Sequence, residues 1–236
     1  SLVTMSNTTF DRPFWTHASS RDITVNTGAL GDHGSGKSKT RAAAPAPINH
    51  CEILVGPASD ARTMSGAELF MIRNAKNPLD RGAIKYGDQI EIVSMYGAMG
   101  NFAADAGAYK DGRVWWVNDT SRWGGQYGEI VVSVSEHPET KSGNQLFTIK
   151  SCDGFDGSLH VNDFVYLISL GKGNRNGQIL WVDDNSRWAA SFYELLLGDS
   201  IGRDWLDGRL MIKPAVITEK NRLVVDEIEG SIAVAV

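Results

Sequence analysis

The sequence has few cysteines and no clustered histidines. Its 236 residues include two cysteines, Cys51 and Cys152, too few for a disulfide framework or a cysteine-rich zinc site. One bridge between them and two buried thiols both remain open. The five histidines are scattered, and no two have the HxxxH spacing that places two metal ligands on one helix face. The sequence therefore predicts no metal site and no cofactor.

An excess of basic residues and long apolar runs are also missing. Lys and Arg total 23 against 28 for Asp and Glu, which gives a net charge of -5. A nucleic-acid-binding protein needs a basic face, and no run of Lys or Arg provides one. No apolar run approaches the roughly 20 residues needed to cross a bilayer. We therefore expect neither a nucleic-acid partner nor a membrane span.

Long helical periodicity is absent as well, and the pattern that replaces it is typical of β-structure. The chain contains 25 glycines, and short runs rich in Val, Ile and Leu alternate with clusters of Gly, Asn and Asp, as in an all-β chain. Residues 1–47 are polar and end in the Ala/Pro segment 42–47. This composition predicts an N-terminal arm or linker with little regular structure, followed by a compact domain at 48–236.

The most informative feature is an internal repeat. The segments WVNDTSRW (116–123) and WVDDNSRW (181–188) are identical at six of eight positions. Six residues after the last Trp of each copy, a glutamate opens an apolar run, and a third run of this kind begins near residue 50. These three glutamates are Glu52, Glu129 and Glu194. Such repetition predicts a fold built from copies of one unit.

Further elements recur in the same order after these glutamates. The first is an LFxIK-like segment, found at 69–73, 146–150 and 209–213. The second is a GxhxxGD-like segment, where h is an apolar residue, found at 82–88 and 157–163. We therefore predict three units of four short strands that begin near Glu52, Glu129 and Glu194. In the third unit, the last two strands are expected at 222–225 and 231–236.

Strands this short bury little apolar surface alone, so the set is expected to close on itself and hide its edges. Twelve strands in three equivalent units resemble the β-trefoil superfamily, which includes the ricin-type lectins and the fascin-like and MIR-type domains. The resemblance covers roughly residues 48–236 and rests on the pattern; the QxW signature of the lectins is replaced by SRW at a comparable place. It implies an all-β fold, a six-stranded barrel capped by three hairpins. A tandemly duplicated β-sandwich is the alternative.

The duplicated segment carries the strongest chemical signal. In each copy, an Asp and an Arg can form hydrogen bonds with hydroxyl groups while an indole stacks on the apolar face of a sugar ring. The predicted ligand-binding residues are Asp119, Arg122 and Trp123 in the first copy and Asp184, Arg187 and Trp188 in the second. They predict a non-catalytic, lectin-like module with a carbohydrate partner, and no catalytic residue is assigned.

A structural interpretation of the same residues is also coherent. The arginine of each copy can pair with the glutamate that opens the next run, Glu129 or Glu194, so that the corner is scaffold. The chain would then be a protein-binding trefoil, like the fascin-like and inhibitor members, using its arm and the loop 97–110. That loop is about ten residues longer than its counterpart, and insertions into repeats often add function. A further alternative is an enzyme with an apolar pocket in the barrel mouth or this loop.

Overall fold

The computed structural model describes residues 2–4, 14–21, 50–57, 59, 70–80, 82–94, 113–118, 127–134, 142–183, 193–199 and 208–214. Over these ranges the fold is all-β, with one short 3₁₀ turn at Gly173–Arg175. The strands are β1 (Leu2–Thr4), β2 (Phe14–Arg21), β3 (His50–Val55), β4 (Phe70–Asn74), β5 (Gln89–Ser94), β6 (Arg113–Asn118), β7 (Gly128–Val134), β8 (Phe147–Ser151), β9 (Phe164–Ser169), β10 (Ile179–Asp183), β11 (Tyr193–Gly198) and β12 (Leu210–Ile212). No helix within them is long and apolar enough to cross a membrane.

Seven of these strands form a closed antiparallel barrel. The ring runs β5, β6, β7, β11, β10, β9 and β8, and β8 pairs back onto β5. The remaining strands add to this ring, with β3 paired to both β7 and β11. The sequence predicts a six-stranded barrel; the ring has seven because β8 pairs with both β9 and β5 and so links two repeat units. Closure leaves the ring strands without an unpaired edge.

The three strands that begin the predicted units pair with one another in the same register. β3, β7 and β11 form all three possible antiparallel pairs. In each pair, the glutamate of one strand lies opposite the second residue after the glutamate of another. The pairs are Glu52–Val131, Glu129–Leu196 and Glu194–Leu54. The three glutamates therefore occupy equivalent, cyclically related positions.

The N-terminal segment differs from the prediction of little regular structure at residues 1–47. It contains β1, which pairs with β12, and β2, which pairs with β3. β1 thus lies beside β12, where the sequence pattern predicts the segment 222–225. Residues 222–236 lie outside the described ranges. The physical reason is that a strand edge requires a hydrogen-bonding partner, which a polar segment such as WTHASSR can supply as well as an apolar one.

The same register also recurs in the second and third strands of the units. The first residue of the LFxIK-like strand lies opposite a small hydroxyl-bearing residue on its neighbour. The pairs are Phe70–Ser94, Phe147–Ser169 and Leu210–Thr4. β1 therefore pairs with β12 in the register that β5 keeps with β4 and β9 keeps with β8.

Alternating side chains of these strands build the apolar core. In β9, Val165, Leu167 and Ser169 are buried while the residues between them keep some exposure. β11 is buried at every position, as expected for a strand enclosed on both faces. Trp115 is fully buried in the core, and its ring lies 5.0 Å from that of Phe70 in an edge-to-face contact, a favourable aromatic geometry.

The GxhxxGD segments form equivalent turns. In each, the aspartate accepts a hydrogen bond from the backbone N–H three residues earlier, from Lys85 to Asp88 Oδ2 at 2.9 Å and from His160 to Asp163 Oδ2 at 2.7 Å. The residue before each aspartate has a positive φ; in the second turn it is Asn162, a residue type that tolerates this conformation. The motif is thus explained by turn chemistry.

Candidate functional site

The described part of each WVxDxSRW corner is the end of a strand paired with the next unit. Asn118, at the end of β6, lies opposite Glu129, and Asp183, at the end of β10, lies opposite Glu194. Since the two registers agree residue by residue, β6 and β10 end at equivalent positions against their partner strands. The residue that follows, Asp119 or Asp184, is bonded directly to a strand end fixed in this way.

The strand ends of both corners are buried. Glu129 and Glu194 are 7% and 2% exposed, and their cross-strand neighbours Asn118 and Asp183 are buried as well. An ionised carboxylate so far from water costs several kcal/mol unless a cation or hydrogen-bond donors compensate. Each of these two glutamates takes part in at least one polar or electrostatic interaction. This half of the corner is consequently a structural anchor.

The tryptophans that open the two copies lie off the main apolar core. Trp116 and Trp181 are 3% and 7% exposed, yet the core contains their chain neighbours Trp115 and Leu180 instead. Trp181 packs edge-to-face against Tyr127, with ring centroids 5.5 Å apart. The first tryptophan of each copy therefore fixes the corner and is withdrawn from solvent.

Gly198 packs closely against this aromatic pair. A Cβ placed on Gly198 would lie 3.0 Å from the indole Nε1 of Trp181 and 3.3 Å from Tyr127 Cδ1. Real Cβ atoms rarely approach other atoms so closely, so a larger residue would displace one of the rings. The glycine that ends the ELLLG run is thus explained by close packing against the corner.

A buried arginine lies near the start of β7. Arg175 is 1% exposed, and its Nη1 donates to Gln178 Oε1 at 3.2 Å. Gln178 Nε2 in turn donates to Asp199 Oδ1 at 3.3 Å. A Cβ on Gly128 would lie 3.4 Å from Arg175 Nε and 2.6 Å from Val117 Cγ1. The repeat does not single out Arg175, because the loop that carries it differs in length and sequence from its counterpart at 97–110 in the first unit.

β2, which the sequence pattern does not predict, pairs with β3 in the register of the two corner strands as far as His17, and the register shifts between His17 and Arg21. Trp15 lies opposite Leu54 and His17 opposite Glu52, the same relation that Trp116 and Asn118 have to β7. The segment reads WTHASSR and shares only the Trp, Ser and Arg spacing with the other two copies. That Wx₄SR spacing was the available signal; it is weak because the intervening residues differ and the unit lies at the other end of the chain.

The six predicted ligand-binding residues lie outside the described ranges, and so does the loop 97–110. They are Asp119, Arg122, Trp123, Asp184, Arg187 and Trp188. The strands that precede these residues, β6 and β10, are separated in the sheet by β7 and β11, and the assignment of the six residues as a binding site remains a prediction. Over the ranges that are described, no group of three or more His, Cys, Asp or Glu residues could hold a metal ion.

Among the described residues, two titratable groups elsewhere have pKa values that are shifted by a large amount. Burial, followed by the hydrogen bond to Asp163, raises the pKa of Tyr86 to about 12; its hydroxyl donates to Asp163 Oδ2 at 2.5 Å. Burial also raises the pKa of the free Cys152 thiol to about 11, with a neighbouring Tyr166 opposing the shift. A thiol with this pKa is protonated near neutral pH and is a poor nucleophile.

Comparison with known proteins gives a likeness of fold alone. No family model matches the chain, and no curated protein matches it. The SDF2-like protein from Arabidopsis thaliana is similar in structure, with a TM-score of 0.52 and 10% identity over 92% of this chain and 94% of that chain. The receptor-binding domain of botulinum neurotoxin D is similar at a TM-score of 0.42 and 12% identity, over 70% of this chain and 36% of that one.

Proposed function

We propose that the chain is a β-trefoil that acts as a non-catalytic, lectin-like module and recognises carbohydrate through its WVxDxSRW corners. The observation that carries this proposal is the shared register of the corners on a closed barrel. Asn118 lies opposite Glu129 as Asp183 lies opposite Glu194. Two copies of one Asp/Arg/Trp group therefore follow from two equivalently anchored strand ends.

The trefoil arrangement is supported by pairings that recur in threes. The strand that begins each unit pairs with the other two such strands, and each also pairs with the strand that carries a corner, as in β2–β3, β6–β7 and β10–β11. The second and third strands of the units pair as β4–β5, β8–β9 and β12–β1. In this proposal β11 and β12 form the third unit with β1 and β2, so its parts come from both ends of the chain.

Carbohydrate is the favoured ligand because of the residues that follow the anchored strands. Asp119 and Arg122 offer an acceptor and a planar donor for sugar hydroxyls, and Trp123 offers an aromatic face for the apolar side of the ring. The strand ends that precede these residues are buried. A rigid frame reduces the ordering cost of binding, which matters for shallow sites with few contacts.

A glycan array followed by titration of the best binding sugar tests the proposal. We expect Trp188→Ala to weaken binding at least tenfold at its corner, since the stacking surface is removed. Trp188→Phe is the matched control and should retain most of the affinity, because an aromatic face remains. Absence of binding by the parent chain, or equal binding by the alanine variant, would contradict carbohydrate recognition.

A protein-binding function is the second candidate, favoured by exposed apolar residues at the hairpin turns. Leu79, Phe155 and Val161 are 82%, 63% and 52% exposed. The turns that carry them contact each other, since Leu159 N–H donates to Ile84 O at 2.7 Å. Each apolar residue has an aspartate within two positions in the chain, so a partner segment with apolar and cationic side chains would fit.

Phe155→Ser should abolish capture of a basic amphipathic peptide without changing sugar binding; unchanged capture would exclude this surface.

A further inference from the structure

One edge among the three strand pairs β4–β5, β8–β9 and β12–β1 has no strand beside it in the described ranges. β8 pairs with β9 on one side and with β5 on the other, and β12 pairs with β1 and with β9. β4 occupies the same position in the first unit, since Phe70 lies opposite Ser94 as Phe147 lies opposite Ser169. Among the described strands, however, β4 pairs with β5 alone. Its second edge is therefore open to a further strand.

The open edge of β4 presents backbone groups whose counterparts are hydrogen-bonded in the other two units. Ile72 has the same place in β4 as Ile149 in β8 and Ile212 in β12. Ile149 O accepts a hydrogen bond from Gly87 N–H at 2.9 Å, and Ile212 N–H donates to Asp163 O at 3.1 Å. In both cases the partner lies in the turn before the strand of a neighbouring unit. The N–H and C=O of Ile72 face the open edge in the same way, because alternate residues of an antiparallel pair point to opposite sides.

The first apolar side chain of β4 is less buried than its counterparts. Phe147 and Leu210 are fully buried, whereas Phe70 keeps some exposure. Opposite Phe147 lies Ile90 and opposite Leu210 lies Val165, and both of these residues are fully buried. No described strand brings a residue to this place opposite Phe70. The edge of β4 therefore fits a strand that carries a β-branched apolar side chain at this position.

The two strands that fill this place beside β8 and β12 share a short sequence pattern. An aspartate ends the turn, one residue follows, and a β-branched apolar residue comes next, as Asp-Gln-Ile at 88–90 and Asp-Phe-Val at 163–165. A third copy, Asp-Glu-Ile, occurs at 226–228, and its aspartate is the single one in 214–236. The match begins at the aspartate. The residue before it has a positive φ in the first two copies, and Val225 is β-branched and disfavours that conformation.

The third copy also stands at the matching distance along the chain. Asp163 follows Phe147, the first residue of β8, by 16 residues. Asp226 follows Leu210, the first residue of β12, by 16 residues as well. Residues 226–228 lie outside the described ranges, and it is their spacing and residue types that select them for the open edge.

We infer that the segment 226–228 adds a strand to the open edge of β4, an inference that rests on the trefoil arrangement of the proposed function and not on sugar recognition. In the register of the other two units, Glu227 lies opposite Met71 and Ile228 lies opposite Phe70. The isoleucine covers the phenylalanine ring, and the backbone of the segment supplies hydrogen-bond partners to the edge. The edge of β4 is then covered by this chain itself and is withdrawn from pairing with another protein.

Engineered disulfides test this placement. In a Cys51→Ser, Cys152→Ser background, Met71→Cys combined with Glu227→Cys should form a disulfide within one chain, because residues directly opposite each other have Cβ atoms about 5 Å apart. We expect it to form at least tenfold faster than the disulfide of the out-of-register pair Met71→Cys with Ser231→Cys. Non-reducing electrophoresis and mass spectrometry of the linked peptides measure both rates.

The matched control is Gln89→Cys with Thr148→Cys, a pair that holds the same place between β5 and β8. A disulfide in this control with none between positions 71 and 227 would overturn the inference. A disulfide that joins two chains would also overturn it, because the strand on the edge would then come from a second copy. Glycan titration of the same variants separates the two proposals. A disulfide in a chain that binds no sugar removes carbohydrate recognition alone, and sugar binding without the disulfide removes the strand placement alone.

Amide hydrogen exchange followed by NMR measures the same placement without cysteines. In the parent chain, the N–H of Ile72 should exchange as slowly as that of Ile212. Ile228→Asp should speed exchange at Ile72 at least tenfold, because a charged side chain is disfavoured in an apolar site. Ile232→Asp is the matched control and should leave this rate unchanged. Fast exchange at Ile72 in the parent chain, or equal effects of the two substitutions, would overturn the inference.

Discussion

Glu194 is a carboxylate held almost entirely out of water, so its removal is expected to be costly. The residue is 2% exposed and lies between two strands, opposite Asp183 and Leu54. Glu194→Ala removes a buried polar side chain together with the interactions it makes and should lower the free energy of unfolding by about 3 kcal/mol or more. Urea denaturation followed by tryptophan fluorescence measures this change.

A matched control for Glu194 is available in β5. Glu91 accepts from Arg73, with Nη2 to Oε2 at 2.8 Å and Nε to Oε2 at 2.9 Å, but both side chains keep contact with water. Glu91→Ala should therefore cost about 1 kcal/mol or less. Equal losses in the two variants would contradict the role assigned to the buried glutamate.

The contact between Tyr86 and Asp163 should make stability depend on pH at both extremes. Burial opposes ionisation of Asp163, but hydrogen bonds from the Tyr86 hydroxyl and the His160 backbone N–H outweigh it and lower the pKa of the carboxyl below 3.8. A carboxyl whose pKa is lowered by folding stabilises the fold at pH values above its pKa in the unfolded chain. This stabilisation is lost as the pH falls through its pKa in the folded state. The pKa of Tyr86, raised from 10.0 to about 12, has the opposite sign: its contribution is complete below pH 10 and is lost as pH rises towards 12.

Tyr86→Phe isolates this contact. At pH 7 the variant should lose about 1 kcal/mol of stability, the usual contribution of one hydrogen bond. The difference between parent and variant should shrink in acid below pH 3.8 and in alkali between pH 10 and about 12. Urea denaturation at a series of pH values measures this difference in the free energy of unfolding. A difference that stays constant in both the acid and the alkaline range would exclude the contact between Tyr86 and Asp163 as its source.

At the scale of elements, the sequence predicts most strands of the first two units but not the N-terminal ones. The apolar runs at Glu52, Glu129 and Glu194 predict β3, β7 and β11 because their alternation and spacing repeat. β2 was missed since WTHASSR lacks an apolar run, and its pairing is determined by the open edge of β3, a tertiary effect. The buried Arg175 also has no local signal, because its burial depends on Gly128 from a distant strand.

Removal of the N-terminal strands tests their role as parts of the third unit. A chain that starts at residue 22 would leave β12 without β1 and β3 without β2. We expect a loss of cooperative thermal unfolding, because two strand edges become unpaired and the buried Phe14 ring is removed from the core. A synthetic peptide of residues 1–21 added in excess should restore the transition, whereas a scrambled peptide should not. Unchanged unfolding of the truncated chain would contradict this role.

At the scale of the molecule, the proposed trefoil consists of three equivalent units, the last assembled from both ends of the chain. Two observations support it, the register of the three glutamate strands and the position of β1 beside β12. The sequence repeat predicts the first of these, since it gives the glutamates and their order. It fails on the second because two segments, 2–4 and 222–225, have a similar short apolar pattern, and only tertiary pairing distinguishes them.

Cross-strand nuclear Overhauser effects on the isotope-labelled chain measure this arrangement directly. The proposed arrangement predicts long-range Overhauser effects between Val3 and Met211, between Trp15 and Leu54, and between Glu52 and Val131. Effects that join Met211 to residues 222–225, with none from Val3, would contradict this arrangement.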